Sequence, residues 1–314
     1  MKQYIGVDVG KRELDIFDGK SHFKCENSAQ GISALVKKIK SNYPAGTVVV
    51  FEATGGYEQL LSESLSTANI AFKRAHPNKI RHYGKALGLL AKTDRIDAKL
   101  IWKYASEQEL EEVNHLLDEE TANLKALLGR REQLIDEKVR EFNRLDKHAN
   151  PIITESIRKH IDWIDEQLED LEKKIKQHVK ANENLITKVA LYKSIKGFGE
   201  ITAAYLTSYV PELGDIDHNK LAALVGLAPM NCDSGKKTGK RSIQAGRANV
   251  RKVLYMAALS AIRFNKGIRI FYQRLINKGK PFKVAITAVM RKLIIIANSV
   301  ATRGTKWEEN AIRG

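Results

Sequence analysis

Apolar and polar positions alternate in short runs along the first hundred residues. In Tyr4 to Val9, Ile5, Val7 and Val9 share one side and Gly6 and Asp8 the other, the period of a strand. Leu14 to Phe17 and His22 to Cys25 follow, parted by the Asp18-Gly19-Lys20 turn signal, and predict an antiparallel continuation of the same sheet. Ile32, Leu35, Val36 and Ile39 then recur at helical spacing. Thr47 to Phe51 is a near-continuous apolar run, as expected of a strand covered on both faces, and Glu52 stands at its end. Ala53-Thr54-Gly55-Gly56 turns the chain into a helix through Tyr57, Leu60, Leu61 and Leu65. Ile70 to Arg74 predicts a last strand, and His76-Pro77-Asn78 opens a basic helix.

Farther on the period changes from two to three and a half. Leu124, Leu127, Leu128, Leu134, Ile135, Val139 and Phe142 form one helical stripe. Ile161, Ile164, Leu168, Leu171, Ile175 and Val179 form a second, with Pro151 between them. An antiparallel hairpin with arms of about 30 Å is expected, serving as a spacer or as an oligomerisation arm. The C-terminal part reads as helical, including a stripe through Ile286, Val289, Leu293, Ile296 and Val300 expected to face a core.

The N-terminal order of three strands, helix, strand, helix, strand, helices resembles the ribonuclease-H-like arrangement. Sites in open α/β sheets gather at the carboxyl ends of central strands. Asp8 and Glu52 would meet there. Lys92-Thr93-Asp94-Arg95-Ile96-Asp97 adds two carboxylates spaced to share one face at a helix start, where the helix dipole and a Thr93 cap would also favour them as simple surface charges. Four converging carboxylates repel one another unless a cation holds them, and hard oxygen donors point to Mg²⁺ or Mn²⁺ and to phosphoryl transfer. Asp15, Asp18 and Glu58 read as surface or turn charges.

Composition narrows the substrate. The chain has 314 residues, enough for more than one domain, and a net charge of +16 with a pI near 9.6, which favours a polyanionic partner. Cys25 and Cys232 lie far apart without metal-ligand spacing, so neither a disulfide framework nor a zinc site is expected, and a reducing cytoplasm fits. No apolar run is expected to span a bilayer, and a strand pattern beginning at Tyr4 leaves no room for a signal peptide. Positive charge concentrates in Lys236, Lys237, Lys240, Arg241, Arg247, Arg251 and Lys252, threaded with Gly235, Gly239 and Gly246, and these are expected to touch nucleic acid. Gly197-Phe198-Gly199 sits between two helical segments, either as a phosphate site built from backbone N–H groups or as a packing turn. Ser234 by itself reads as a turn residue; surrounding cations or a metal could activate it.

Gly6-Val7-Asp8-Val9-Gly10-Lys11, Phe51-Glu52-Ala53-Thr54-Gly55-Gly56-Tyr57, Lys92 to Ala98, Gly226-Leu227-Ala228-Pro229 with Asp233-Ser234-Gly235, and Leu254-Tyr255-Met256-Ala257-Ala258 together resemble the insertion-sequence one-ten family of transposases, relatives of the pilin-gene invertase Piv. The resemblance implies an α/β RuvC-like (ribonuclease-H-like) domain over 1–110, a helical hairpin or coiled coil over 111–184 serving oligomerisation, and a mostly α-helical transposase domain over 185–314. It implies Mg²⁺ held by Asp8, Glu52, Asp94 and Asp97, and Ser234 as the nucleophile that attacks DNA. The implied partners are donor and target DNA, a bridge RNA and further copies of the chain as a dimer or tetramer, in a bacterial or archaeal nucleoid. Ser242-Ile243-Gln244-Ala245-Gly246 departs from the family pattern and brings Ser242 in as an alternative nucleophile. Two other readings are a RuvC-like junction nuclease that needs no serine and an actin-like sugar kinase; the kinase would require a second phosphate loop, and none is present.

Overall fold

The computed structural model describes residues 3–53, 55–89, 94–108, 118–147, 149–230 and 242–308, with Asp94 and Arg95 described by backbone alone. The chain divides into two compact units, Met1–Leu116 and Leu117–Gly314.

The first unit runs β1 (Tyr4–Val9), β2 (Glu13–Phe17), β3 (His22–Glu26), α1 (Ala29–Asn42), β4 (Val48–Glu52), α2 (Gln59–Thr67), β5 (Phe72–Ala75), α3 (Pro77–Ala86) and α4 (Asp94–Glu107). Its sheet has the order β3-β2-β1-β4-β5. β1, β2 and β3 pair antiparallel, and β1, β4 and β5 pair parallel. The alternation in the sequence sorts into two cores because successive strand residues face opposite ways. Ile5, Val7, Leu14, Ile16, Val49 and Phe51 pack with Ile32, Leu35 and Ile39 of α1 and Leu61 and Leu65 of α2. Tyr4, Val48 and Val50 pack on the other face with Ile80 of α3 and with Leu100, Ile101 and Tyr104 of α4. The last strand is shorter and later than the apolar run at Ile70 suggests, because Ile70 closes the turn out of α2 through its N–H on the Leu65 carbonyl.

The second unit is mostly helical: α5 (Glu119–Leu145), α6 (Pro151–Ala181), α7 (Glu183–Lys193), α8 (Glu200–Tyr209), α9 (His218–Leu224), a short ribbon of β6 (Pro229–Met230) and β7 (Ser242–Ile243), then α10 (Ala248–Phe264), α11 (Lys266–Asn277) and α12 (Phe282–Arg303). α5 and α6 have 27 and 31 residues, so their arms reach about 40 Å or more rather than 30 Å. Pro151 occupies the first turn of α6, where its missing N–H costs nothing, and the Asn150 side chain accepts from the Ile152 N–H at 3.0 Å. The base of the hairpin shares one core with α7, α8, α10 and α12. Tyr205 donates its hydroxyl to the Leu128 carbonyl at 3.0 Å, stitching α8 to α5. Toward the tip, Val139 and Phe142 of the expected stripe are exposed, as are Ile152 and Trp163.

α12 is long and apolar enough to cross a membrane, contrary to the expectation from composition. Ile286, Val289, Met290, Leu293, Ile294, Ala297 and Val300 instead fill the core of the second unit. Asn298, buried among them, accepts from the Gly214 N–H and donates to the Ile216 carbonyl, each at 2.9 Å, which satisfies its polar groups.

Candidate active site

The carboxyl edge of the first sheet carries the acidic cluster. β1 and β4 run parallel with Val7 opposite Phe51, so the residues that follow, Asp8 and Glu52, stand side by side at neighbouring strand ends. Both belong to the face that carries Tyr4, Val48 and Val50, and α4 covers that face. Gly6 makes the covering possible. A Cβ there would lie 2.4 Å from the Ala98 carbonyl oxygen and 2.5 Å from the Trp102 nitrogen, so the backbone of α4 rests on β1 at a distance that only glycine permits. The Trp102 ring meets Phe17 edge-on at 5.3 Å between centroids, and Phe17 pairs with Gly6, near the start of β1. Asp94 to Asp97 form the turn of α4 just before Ala98, whose carbonyl rests on Gly6. Asp8, Glu52 and Asp97 are all half-buried. Each of the three makes polar or electrostatic interactions in the structure.

A metal would find oxygen donors on this face. Among the described residues no group of three His, Cys, Asp or Glu side chains closes on a common point. The side chain of Asp94, the fourth expected ligand, lies outside the described residues.

Of the three acidic residues read as surface or turn charges, two are buried in this unit. Asp15 is 6% exposed and pairs across the ladder with Asp8, which puts the two carboxylates on one face. Like charges opposite one another are unfavourable, and Lys24 on β3 offsets the effect with Nζ 3.3 Å from the Asp15 carboxylate. The Lys24 ammonium is held above its ordinary pKa by Glu13 first and by Asp15 second. Glu58, 7% exposed, accepts from the Gly56 N–H at 2.9 Å and so closes the turn after Glu52. Asp18 is likewise a turn residue, as expected: it accepts from the N–H groups of Lys20 and Ser21 at 2.8 and 2.7 Å. Burial works to raise its pKa, but those bonds and the Tyr43 hydroxyl hold it below the ordinary value. The period of β2 shows which face Asp15 takes, and only the partner strand shows that this face is the acidic one.

In the second unit, Ser234, Lys236, Lys237, Lys240 and Arg241 lie outside the described residues. The ends of that segment are described. Pro229 pairs with Ile243 and Met230 with Ser242. Ser242 is exposed, with the Gln244 amide 3.3 Å from its hydroxyl. Below the ribbon two glycines touch: a Cβ on Gly246 would lie 2.2 Å from the Gly226 nitrogen, and both have positive φ. Arg251 donates to the carbonyls of Val225 and Ala245, one on each side of the ribbon.

Arg247, Arg251 and Lys252, which are described, contact other parts of the protein. Arg247 makes a forked pair with Glu212 and donates to the Tyr209 carbonyl at 2.7 Å. Lys252 reaches Glu132 at 3.0 Å and Asp136 at 3.2 Å on α5. With Arg251, all three thus have donors committed to intramolecular contacts. Gly197 likewise has a packing role, since at φ +109° a Cβ would fall 2.5 Å from the Ala261 Cβ. Gly199 caps the start of α8 and faces open space.

Comparison with known proteins agrees with these features in order along the chain. Residues 5–153 match a transposase family defined by its DEDD domain, and residues 189–273 match the transposase IS116/IS110/IS902 family. The chain is 29% identical to the pilin gene-inverting protein of Moraxella lacunata over 98% of both chains, and equally similar to that of Moraxella bovis. It is 23% identical to the transposase for insertion sequence element IS1328 of Yersinia enterocolitica, over 97% of this chain and 98% of the other. The acidic sheet edge, the helical second unit and these matches together place the chain in the IS110 family of transposases, enzymes that recombine DNA.

Proposed function

We propose that this transposase cuts and rejoins DNA by attack of Ser234 on a phosphodiester, assisted by Mg²⁺ at the carboxylate face of a RuvC-like first unit and guided by a bridge RNA. The observation that carries the reading is the register of β1 and β4, which sets Asp8 and Glu52 side by side under α4. The strand order β3-β2-β1-β4-β5 supports the RuvC-like assignment. Asp8, Glu52, Asp94 and Asp97 would hold the ion, since hard oxygen donors suit Mg²⁺. Bound there, it would neutralise charge on the phosphate and on the leaving oxygen.

In the serine step, the Ser234 oxygen forms a bond to phosphorus and gives up its proton. The bond from phosphorus to one deoxyribose oxygen breaks, and that oxygen leaves protonated. Reversal with a different strand end restores the serine and joins the new phosphodiester, so no high-energy cofactor is consumed. Arg251 holds both sides of the ribbon from which the segment bearing Ser234 departs. The exposed apolar residues near the tip of the hairpin, Phe142, Ile152 and Trp163, support assembly into a dimer or tetramer.

The test is to replace Ser234 with Ala and follow the covalent protein–DNA adduct and recombinant product on an invertible DNA substrate. Both disappear if the serine is the nucleophile. Cleavage that persists in Ser234→Ala but is lost in Asp8→Asn would instead establish a junction nuclease acting through the carboxylates alone. Sequencing RNA that copurifies with the protein tests the guide: a discrete RNA matching DNA beside the gene is expected.

A further inference from the structure

We propose that Asn27 is a positioning residue that ties the loop after Asp8 to the loop after Glu52 and so sets the spacing of these two carboxylates. The inference rests on the carboxylate site proposed above.

The β1–β4 ladder ends at Val7 and Phe51, one residue short of the acidic pair. Past that rung the backbones part company. The Ala53 N–H turns to the Ala75 carbonyl of β5, while the Gly10 N–H turns to the Glu13 carbonyl of β2. Ladder bonds that fix Val7 against Phe51 therefore do not extend to fix the loops beyond Asp8 against those beyond Glu52.

Asn27 reaches across this opening from the residue just before the cap of α1. Its side-chain amide donates to the Gly10 carbonyl at 2.9 Å and to the Tyr57 carbonyl at 3.0 Å. Gly10 lies two residues after Asp8, and Tyr57 five after Glu52. The Asn27 backbone N–H also donates to the Arg12 carbonyl at 2.8 Å, so the residue is itself anchored on the first loop. On the second loop, Gly55 and Gly56 take φ values of +81° and +130°, and Glu58 braces the Gly56 N–H. A turn so dependent on glycine has little stiffness of its own, and the tie at Tyr57 joins it to the β1–β2 side.

The chemistry of the amide fits the task. Two carbonyl acceptors from separate loops require a side chain with two donors on one atom, which the amide nitrogen supplies and Asp, Ser or Thr cannot. The orientation of the amide follows from the same contacts, because a flipped group would set its oxygen against two carbonyl oxygens. Asn27 Oδ1 is buried with no hydrogen-bond partner among the described residues. The side chain is thus placed for its donors at the expense of its acceptor, which stability alone does not favour.

The test titrates MnCl₂ into full-length protein free of DNA, with water-proton relaxation reporting bound Mn²⁺. Four proteins are compared: the unaltered chain, Asn27→Ala, Asp8→Asn and Ser28→Ala. Ser28→Ala removes the neighbouring side chain that caps α1 by accepting from the Gly31 N–H, and so matches the loss of stability without touching the tie. Asn27→Ala is expected to weaken Mn²⁺ binding about tenfold, the size usual for outer-sphere groups that orient ligands, while Ser28→Ala stays within about twofold of the unaltered protein. Binding unchanged in Asn27→Ala but lost in Asp8→Asn overturns the role of Asn27 and leaves the carboxylate site standing. Equal weakening in Asn27→Ala and Ser28→Ala also overturns it, because general loosening then suffices. Binding unchanged in Asp8→Asn removes the carboxylate site and the inference with it. Asn27→Ser replaces the alanine variant in the same comparison should that variant fail to fold.

Discussion

The two units use charge in opposite ways. At the sheet edge of the first, Asp8 and Glu52 stay half-buried on a single face, and the nearby ammonium of Lys24 goes to Asp15 and Glu13. In the second, the described members of the basic stretch make intramolecular contacts: Arg247 with Glu212, Arg251 with two carbonyls, Lys252 with α5. A concentration of like charge along a chain therefore says little until its partners are known. A carboxylate beside another carboxylate makes ionisation of both more costly, whereas an arginine beside a glutamate makes it easier.

If that contrast is right, Asp8→Asn is nearly silent in stability and severe in function. Recombination should fall by more than about 100-fold, beyond the usual cost of an outer-sphere change, with the melting temperature held. A loss of folding in this variant would show that Asp8 is structural after all.

In the second unit the large effects should be on stability. Gly197→Ala forces a side chain into the Ala261 backbone at a positive φ and should cost about 3 kcal/mol or more, from strain and overpacking together, read by denaturant unfolding. Arg247→Ala removes a forked pair whose side chains are 32% and 17% exposed. It should destabilise by about 2 kcal/mol after allowance for solvent screening, without changing the salt dependence of DNA binding.

Asp118 caps α5 through the Thr121 N–H at 2.8 Å, and Asp118→Ala should cost about 1 kcal/mol. Burial acts to raise its pKa, but the bonds from Thr121 outweigh that and leave it below the ordinary carboxylate value. The cap's stabilisation is thus fully present above the ordinary aspartate pKa, about 4, and fades as pH falls below it toward the folded-state value. Urea unfolding from pH 6 down to pH 2 reads this loss, which should be absent from Asp118→Ala.

The smallest effect belongs to Lys236→Ala. The slope of log K against log salt for DNA binding should drop by about 1, as for one lost phosphate contact, at constant stability. An unchanged slope would place nucleic-acid contact elsewhere.

Much of the first unit could be read directly. Period-two alternation marks β1 and β2, the continuous run marks β4, and these are local consequences of backbone geometry. The position of Asp8 on the face opposite Ile5 and Val7 follows from the same period. The helical stripes of α6 and α12 were equally plain, because a buried face repeats every three or four residues.

Other features depend on partners distant in the chain. Asp15 and Glu58 read as surface or turn charges, and their burial follows only from β1, β3 and the turn at Gly56 closing around them. The contacts of Lys252 could not be read either, since its carboxylates at Glu132 and Asp136 are more than a hundred residues upstream. Val139 and Phe142 belong to a regular stripe, but the core that buries its first half ends before reaching them.

By itself, the order of residues determined the strands and helices, the face each side chain takes, and the motifs that mark a family. The tertiary structure alone decided which charged groups come together, because burial and pairing are properties of the space between elements. The face shared by Asp8 and Glu52 shows both halves of this: each strand set its own side chain outward, and the parallel register of β1 with β4 made the two neighbours.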